Sequence, residues 1–528
     1  MTTVLRKVSN KLKIFAIFHM NKINRFNSMN KIKKIGLVAG IISAAAILIF
    51  LDLDPQKPEL TKMAAVVVLM AFWWITEAVP LAATSLIPLI LFPVLGLLGG
   101  EETASSYINS VIFLFLGGFL LAIAMEEWGL HIRIALKIIT LFGGSPSSII
   151  IGFMTAAAFL SMWISNTATA VMMLPIGLAI INKIEKEFGE ASTKNFAITL
   201  LLAIAYSCTL GGIGTLIGTP PNLAFVKIFG ILYPEAPAIS FGSWMILAVP
   251  IALIMLMFVA FILIKVFFKV DVKIQIDKNF IRNEYLKLGR ITFEEKTIAL
   301  LFGSAALLWI FRSELNLGFI KIPGWQNIFA VPDFINDGTV AISVALLLFL
   351  IPSKKTNAGK LTLLDVTAFN KVPWGIILLF GGGFALAKGF SSSGLSDYIG
   401  IQFNSLGYLS PVIIVLLTAL TINFLTELTS NTATTQMILP IMASVSVAIG
   451  LNPLLLMITA TLSSSMAFML PVATPPNTII FASDKMKIQY MVKAGFMINI
   501  AGVIIVSLLV YLIGSVLFDL NTYPIWAK

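Results

Sequence analysis

Ser165-Asn166-Thr167-Ala168-Thr169-Ala170-Val171-Met172-Met173-Leu174-Pro175-Ile176 recurs as Ser430-Asn431-Thr432-Ala433-Thr434-Thr435-Gln436-Met437-Ile438-Leu439-Pro440-Ile441, nine identities in twelve positions at an offset of 265 residues. Gly117-Gly118-Phe119 and Gly382-Gly383-Phe384 share that offset, as do Gly129-Leu130 and Gly394-Leu395. A second motif, Thr219-Pro220-Pro221-Asn222, returns as Thr474-Pro475-Pro476-Asn477 at an offset of 255, so the second copy is ten residues shorter between its motifs. Four matches in one order mark an internal duplication. A duplication kept only for packing has no reason to retain identical polar residues, and these two copies do.

Around the motifs the chain has the composition of a polytopic membrane protein. It is 58% hydrophobic and 12% charged over 528 residues, with a mean hydropathy of +0.97, which leaves too few polar groups for a water-soluble surface. Cys208 is the sole cysteine, so a disulfide framework is excluded, and His19 and His131 alone cannot build a histidine metal site or proton relay. The spans hold no His/Asp dyad, suitably placed Ser/Lys pair or metal cluster, so neither an enzyme nor a cofactor is expected. The net charge of +11 reads as cytoplasmic anchoring between apolar segments, with no nucleic-acid partner.

A bilayer core of ~30 Å needs ~20 apolar residues at ~1.5 Å per helical residue. Eleven spans are expected, at 35–51, 62–79, 81–98, 110–126, 196–226, 244–267, 296–311, 336–352, 373–390, 453–482 and 494–517. Alternation from a cytoplasmic N-terminus puts most of the 36 Lys and Arg inside and leaves Lys57, Lys62, Lys227, Arg312, Lys321 and Lys528 outside. That asymmetry favours an inside N-terminus and an outside C-terminus in a multi-pass cell-membrane protein. The first 34 residues carry nine bases and no acid and read as a cytoplasmic tail, not a signal peptide.

The expected organisation is a basic tail with the first span (1–61), a first repeat (62–268), a cytoplasmic connector (269–295), a second repeat (296–518) and an extracellular tail (519–528). Each repeat holds five spans. An odd number inverts the second copy, giving a pseudo-two-fold axis in the membrane plane and a site near the midplane, as in secondary transporters.

Two apolar stretches, 148–182 and 410–449, do not fit the eleven spans. Ser165-Asn166-Thr167 divides the first into arms of about 15 residues, each reaching only ~22 Å as a helix. A re-entrant hairpin is expected in each copy, with a tip that lines a cavity, because irregular backbone in lipid must be buried or wet. The Pro-Pro pairs within 196–226 and 453–482 should break those helices, freeing carbonyls for a small cation and N–H groups for a carboxylate. Asn and Thr side chains suit a carboxylate, and hydroxyl, amide and backbone oxygens make a cage for a hard cation. Neither motif contains Arg or Lys, so a doubly negative substrate calls for a co-bound cation. Lys388 either pairs with an acid or marks an anion route; Glu77 and Glu427 are either proton carriers or paired structural acids. The tryptophans, Trp73, Trp74, Trp128 and Trp163 among them, are expected at interfaces and in packing.

At these motifs the chain resembles the divalent anion/sodium symporter family, which includes sodium-coupled dicarboxylate and citrate carriers and sodium-independent dicarboxylate exchangers. The resemblance covers most of the chain after residue 60. It implies a homodimer with scaffold and transport domains, the latter moving like an elevator. It also implies that Asn166, Thr167, Asn431 and Thr432 contact substrate carboxylates, with Thr474 and Pro475 lining the pocket. One sodium site would use Ser161, Ser165, Asn166 and the backbone of Gly218; its counterpart would use Thr426, Thr429, Ser430, Asn431 and the backbone of Ala473. Ser161 and Thr426 are themselves 265 apart. The fold class expected is thus an all-α polytopic membrane protein of eleven spans and two re-entrant hairpins. The function expected is elevator-type transport of C4-dicarboxylates such as succinate, malate and fumarate, with sodium as coupling ion. Sodium-independent exchange on the same fold, and more remotely an anion channel, stay open.

Overall fold

The computed structural model describes residues 31–268, 278–316, 320–354 and 361–527. The tail 1–30, the connector segment 269–277 and Lys528 lie outside the described residues. Among the described residues, eight helices are long and apolar enough to cross a membrane: Lys31–Phe50, Pro58–Thr76, Gly100–Glu127, Asn166–Phe188, Glu190–Gly212, Phe241–Phe267, Trp374–Ser393 and Ile488–Phe518.

Several expected spans take other forms. The stretch 81–98 is two short helices, Leu81–Thr84 and Ile87–Leu95, and 336–352 is the 14-residue helix Asp337–Leu350. Both Pro-Pro spans are broken. Glu190–Gly212 ends before Pro220–Leu232 begins, and Pro453–Ser464 before Pro475–Phe481. The break precedes the prolines, which open the following half-helix at a position where no N–H is needed.

The hairpin arms correct the length argument. Pro146–Ser161 and Pro411–Thr426 have 16 residues each, but the returning arms Asn166–Phe188 and Asn431–Ala448 have 23 and 18. Pro175 and Pro440 sit inside those arms without ending them, and of the two returning arms only the first is among the helices both long and apolar enough to cross a membrane. The all-α expectation also misses one detail, an antiparallel pair of two-residue strands, Leu315–Asn316 and Lys321–Ile322.

Local chemistry sets the helix starts. Asn109 Oδ1 accepts from the N–H groups of Val111 and Ile112, Thr292 and Glu295 form a capping box, and so do Asn336 and Thr339. The duplicated glycines have a shared use. Gly129 and Gly394 adopt φ +74° and +75° and redirect the chain into the helices Leu130–Leu141 and Leu395–Gln402. Gly117 lets its helix lie against Asp337–Leu350, where a Cβ would fall 2.6 Å from Ala341 Cβ.

Lys31–Phe50 lies beside Pro58–Thr76, joined by Trp73 Nε1 donating to Leu37 O at 3.3 Å. Glu77 ends the second of these helices and faces Lys33 at 3.8 Å, with both side chains part-exposed. The connector side is anchored by Arg133, which donates to Glu295 at 2.8 and 3.1 Å and to the carbonyls of Gly289 and Leu288. The tail after Asp519 is docked, with Trp526 edge-on to Phe229 and Tyr233. Trp74, Trp244 and Trp309 are fully buried packing residues.

Candidate functional site

Each hairpin packs on the broken helix of its own half, and the second half-helix of each break packs on the returning arm of the other hairpin. Pro220–Leu232 thus meets Asn431–Ala448, and Pro475–Phe481 meets Asn166–Phe188. Lys485 reinforces the second contact, with Nζ 2.7 Å from a Glu185 carboxylate oxygen. Tyr206 ties the two breaks together by donating to Phe468 O at 2.8 Å.

The two tips share one geometry. Ser161 Oγ lies 2.6 Å from Asn166 Oδ1 and 2.7 Å from Cys208 O. Thr426 Oγ1 lies 2.6 Å from Asn431 Oδ1 and 2.7 Å from Ser464 O. A hydroxyl has one proton for these two acceptors, so each trio leaves one oxygen without a donor from the hydroxyl. Both hydroxyl-bearing residues are fully buried. Gly212 makes room for the first trio, since a Cβ there would fall 2.5 Å from Asn166 Oδ1.

The structure thus brings together Ser161 with Asn166 and Thr426 with Asn431. Gly218 joins the first group indirectly, packed so closely on Gly212 that a Cβ would meet its carbonyl at 2.5 Å. Ser165 Oγ instead caps the returning arm by accepting from Ala168 N at 3.2 Å. Thr429 turns to Thr434 Oγ1 at 2.6 Å and to Leu425 O. Ser430 caps its arm without a side-chain bond, and the Ala473 N–H donates to Leu470 O at 3.2 Å. Thr167 is exposed and its counterpart Thr432 buried, so the tips are not equally open. Thr474 is buried and Pro475 exposed at the start of the last half-helix.

Residues without an assigned role in the sequence hold the breaks in shape. Asn222 Nδ2 donates toward Gly212 O at 3.3 Å, Ile213 O at 3.2 Å and Thr215 O at 2.6 Å. Asn477 Nδ2 reaches Ala467 O at 3.2 Å and Leu470 O at 3.1 Å, carbonyls ten and seven positions back, as Gly212 and Thr215 are from Asn222. Trp244 Nε1 also takes Ile213 O. Carbonyls expected to be free for a cation are therefore partly spent on amides, and the ones beside the hydroxyls are those of Cys208 and Ser464. The signal was present in the final Asn of both Thr-Pro-Pro-Asn motifs.

Glu427 takes a structural place. Its carboxylate accepts from Phe468 N, Met469 N, Leu470 N and Asn499 Nδ2 at 2.7–3.1 Å, clasping the second break to the last helix. Four donors match a carboxylate's acceptor-only inventory. The first copy has Met162 here, whose backbone carbonyl accepts from Thr215 Oγ1. Lys388 pairs with Glu102 at 2.9 Å.

Comparison with known proteins places the chain among transporters. The family described as the sodium:sulfate symporter transmembrane region matches residues 32–520. A protein of Staphylococcus aureus named sodium-dependent dicarboxylate transporter SdcS is 43% identical over 496 residues, covering 92% of each chain. The protein of that name from Staphylococcus saprophyticus is 43% identical over 90% of each chain. In fold, the chain is similar to the Alcanivorax borkumensis YdaH transporter, with a TM-score of 0.54 at 12% identity, covering 85% of this chain and 98% of that one. It is also similar to Neisseria gonorrhoeae MtrF, with a TM-score of 0.52 at 12% identity over 79% and 84% of the two chains.

Proposed function

Since the chain belongs to the sodium:sulfate symporter transmembrane family, a family of membrane transporters and not of enzymes, we propose that it carries C4-dicarboxylates of the succinate, malate and fumarate class, driven by sodium. The observation that carries this is the pair of matching oxygen trios, Ser161–Asn166–Cys208 and Thr426–Asn431–Ser464. A sodium ion at each would serve the oxygens that one hydroxyl proton leaves over, and would supply the positive charge that the motifs lack. The names of the Staphylococcus relatives, at 43% identity, support both the dicarboxylate and the sodium.

In this mechanism Asn166 and Asn431 share their amides between ion and substrate, with Thr167, Thr432, Thr474 and Pro475 around the carboxylates. Loading sodium would orient each amide before the dianion arrives, so that neither binds well alone. The hairpins enter from opposite sides in an eleven-span inverted repeat. The hairpins and broken helices then move as one transport body against a scaffold that pairs two copies of the chain. The excess of Lys and Arg in alternate loops supports a cytoplasmic N-terminus.

Proteoliposome uptake of labelled succinate decides the coupling. An inward sodium gradient should accelerate uptake at least tenfold over choline. Acceleration by internal succinate with no response to sodium would replace symport by exchange, and conductance that does not saturate would indicate a channel.

A further inference from the structure

A cavity of about 410 Å³, lined by none of the tip residues, is bordered by the half-helix Pro220–Leu232 and the helix Trp374–Ser393, which pack against one another. Its walls carry Lys227 from the first and Lys388 from the second, with Ser106 and Ser391 beside them. Among the described residues no acidic side chain belongs to its lining, and Glu102 reaches Lys388 from beside the cavity. Lys388 has Glu102 as a partner at 2.9 Å, but the lysine is only partly buried and the glutamate is exposed, where water screens an ion pair. Lys227 is half-buried and, among the described residues, has no acidic partner within 4 Å. The cavity therefore holds an unbalanced positive charge in a volume within the usual range for small-molecule sites.

We infer that this cavity is a second binding site for a small dicarboxylate, outside the transport pocket, in which Lys227 and Lys388 take the carboxylates from opposite walls. The dicarboxylate class rests on the proposed function; the need for an anion rests on the lysines alone. A lipid phosphate shares that chemistry, and partly enclosed walls bearing serine hydroxyls favour the smaller, free anion.

The test uses the full chain in nanodiscs of zwitterionic phosphatidylcholine, in sodium-free choline buffer, with succinate as the probe. The background Asn166→Ala/Asn431→Ala removes the transport pocket. Unfolding midpoints should rise with succinate in a saturable way, the half-saturating concentration should increase at least tenfold on adding Lys227→Gln, and Lys227→Arg should restore most of the effect. Size-exclusion profiles confirm that each variant is folded. Absence of a succinate effect in the Asn166→Ala/Asn431→Ala background, or one that Lys227→Gln leaves unchanged, overturns the inference. So does stabilisation by phosphatidylglycerol with none by succinate. Because sodium is absent, a failure here is separate from failure of sodium-driven uptake, which the liposome experiment reads.

Discussion

Replacing Asn222 by leucine keeps the side-chain bulk and removes the amide that holds the first break. The two Nδ2 protons serve Gly212 O, Ile213 O and Thr215 O, and Ile213 O keeps Trp244 Nε1 at 3.0 Å. Two buried carbonyls, those of Gly212 and Thr215, are then left without this donor. At ~1–3 kcal/mol each, the loss is ~2–6 kcal/mol. Side-chain hydrogen bonds between membrane helices average about 0.6 kcal/mol, which favours the low end of that range. Asn222→Asp should cost more, because it turns the donor into an anion facing the same carbonyls. The chain supplies its own probe: Cys208 is the only cysteine and is buried, so a thiol-reactive fluorophore reports unfolding on heating. The order of midpoints expected is wild type, then Asn222→Leu, then Asn222→Asp, with Asn477→Leu resembling Asn222→Leu. Wild-type midpoints in both Asn222 variants would refute the idea that this amide holds the break.

Asn166→Ala or Asn431→Ala should abolish sodium-driven succinate uptake while leaving the Cys208 unfolding midpoint within a few degrees of wild type; uptake at the wild-type rate in both would remove these residues from the pocket. Arg133→Met strands the buried Glu295 and should cost ~3–5 kcal/mol, whereas Arg133→Met with Glu295→Leu should recover most of it, read by the same thermal assay. Glu427→Gln replaces one acceptor oxygen by a donor among four donors and should lower the midpoint while the pH profile of uptake keeps its wild-type shape. Loss of that pH dependence would make Glu427 a proton carrier instead.

The paired geometry of the candidate site was legible because the duplication prints it twice. An offset of 265 pairs Ser161 with Thr426 and Asn166 with Asn431, and the structure gives those pairs the same 2.6 Å contacts. The roles of Thr429 and Ser165 were less legible, because a hydroxyl near a helix start bonds equally well to a backbone N–H or to a neighbouring hydroxyl. The first returning hairpin arm is longer than its apolar stretch implies because a helix does not end where apolar residues end: it runs on through the mostly polar residues 182–187 to Phe188.

What the chain alone determined is its solvent and its duplication: lipid demands long apolar helices, and a repeated polar motif in such helices marks where backbone order is interrupted. Which groups meet at those interruptions was decided only in three dimensions. Glu427 finds its donors 41 to 72 residues away, Arg133 its carboxylate 162 residues away, and Lys227 and Lys388 share a cavity without any local pattern linking them. Partners so distant are chosen by helix packing, which places buried donors and acceptors against whatever the neighbouring helix presents, and no periodicity within one segment encodes that choice.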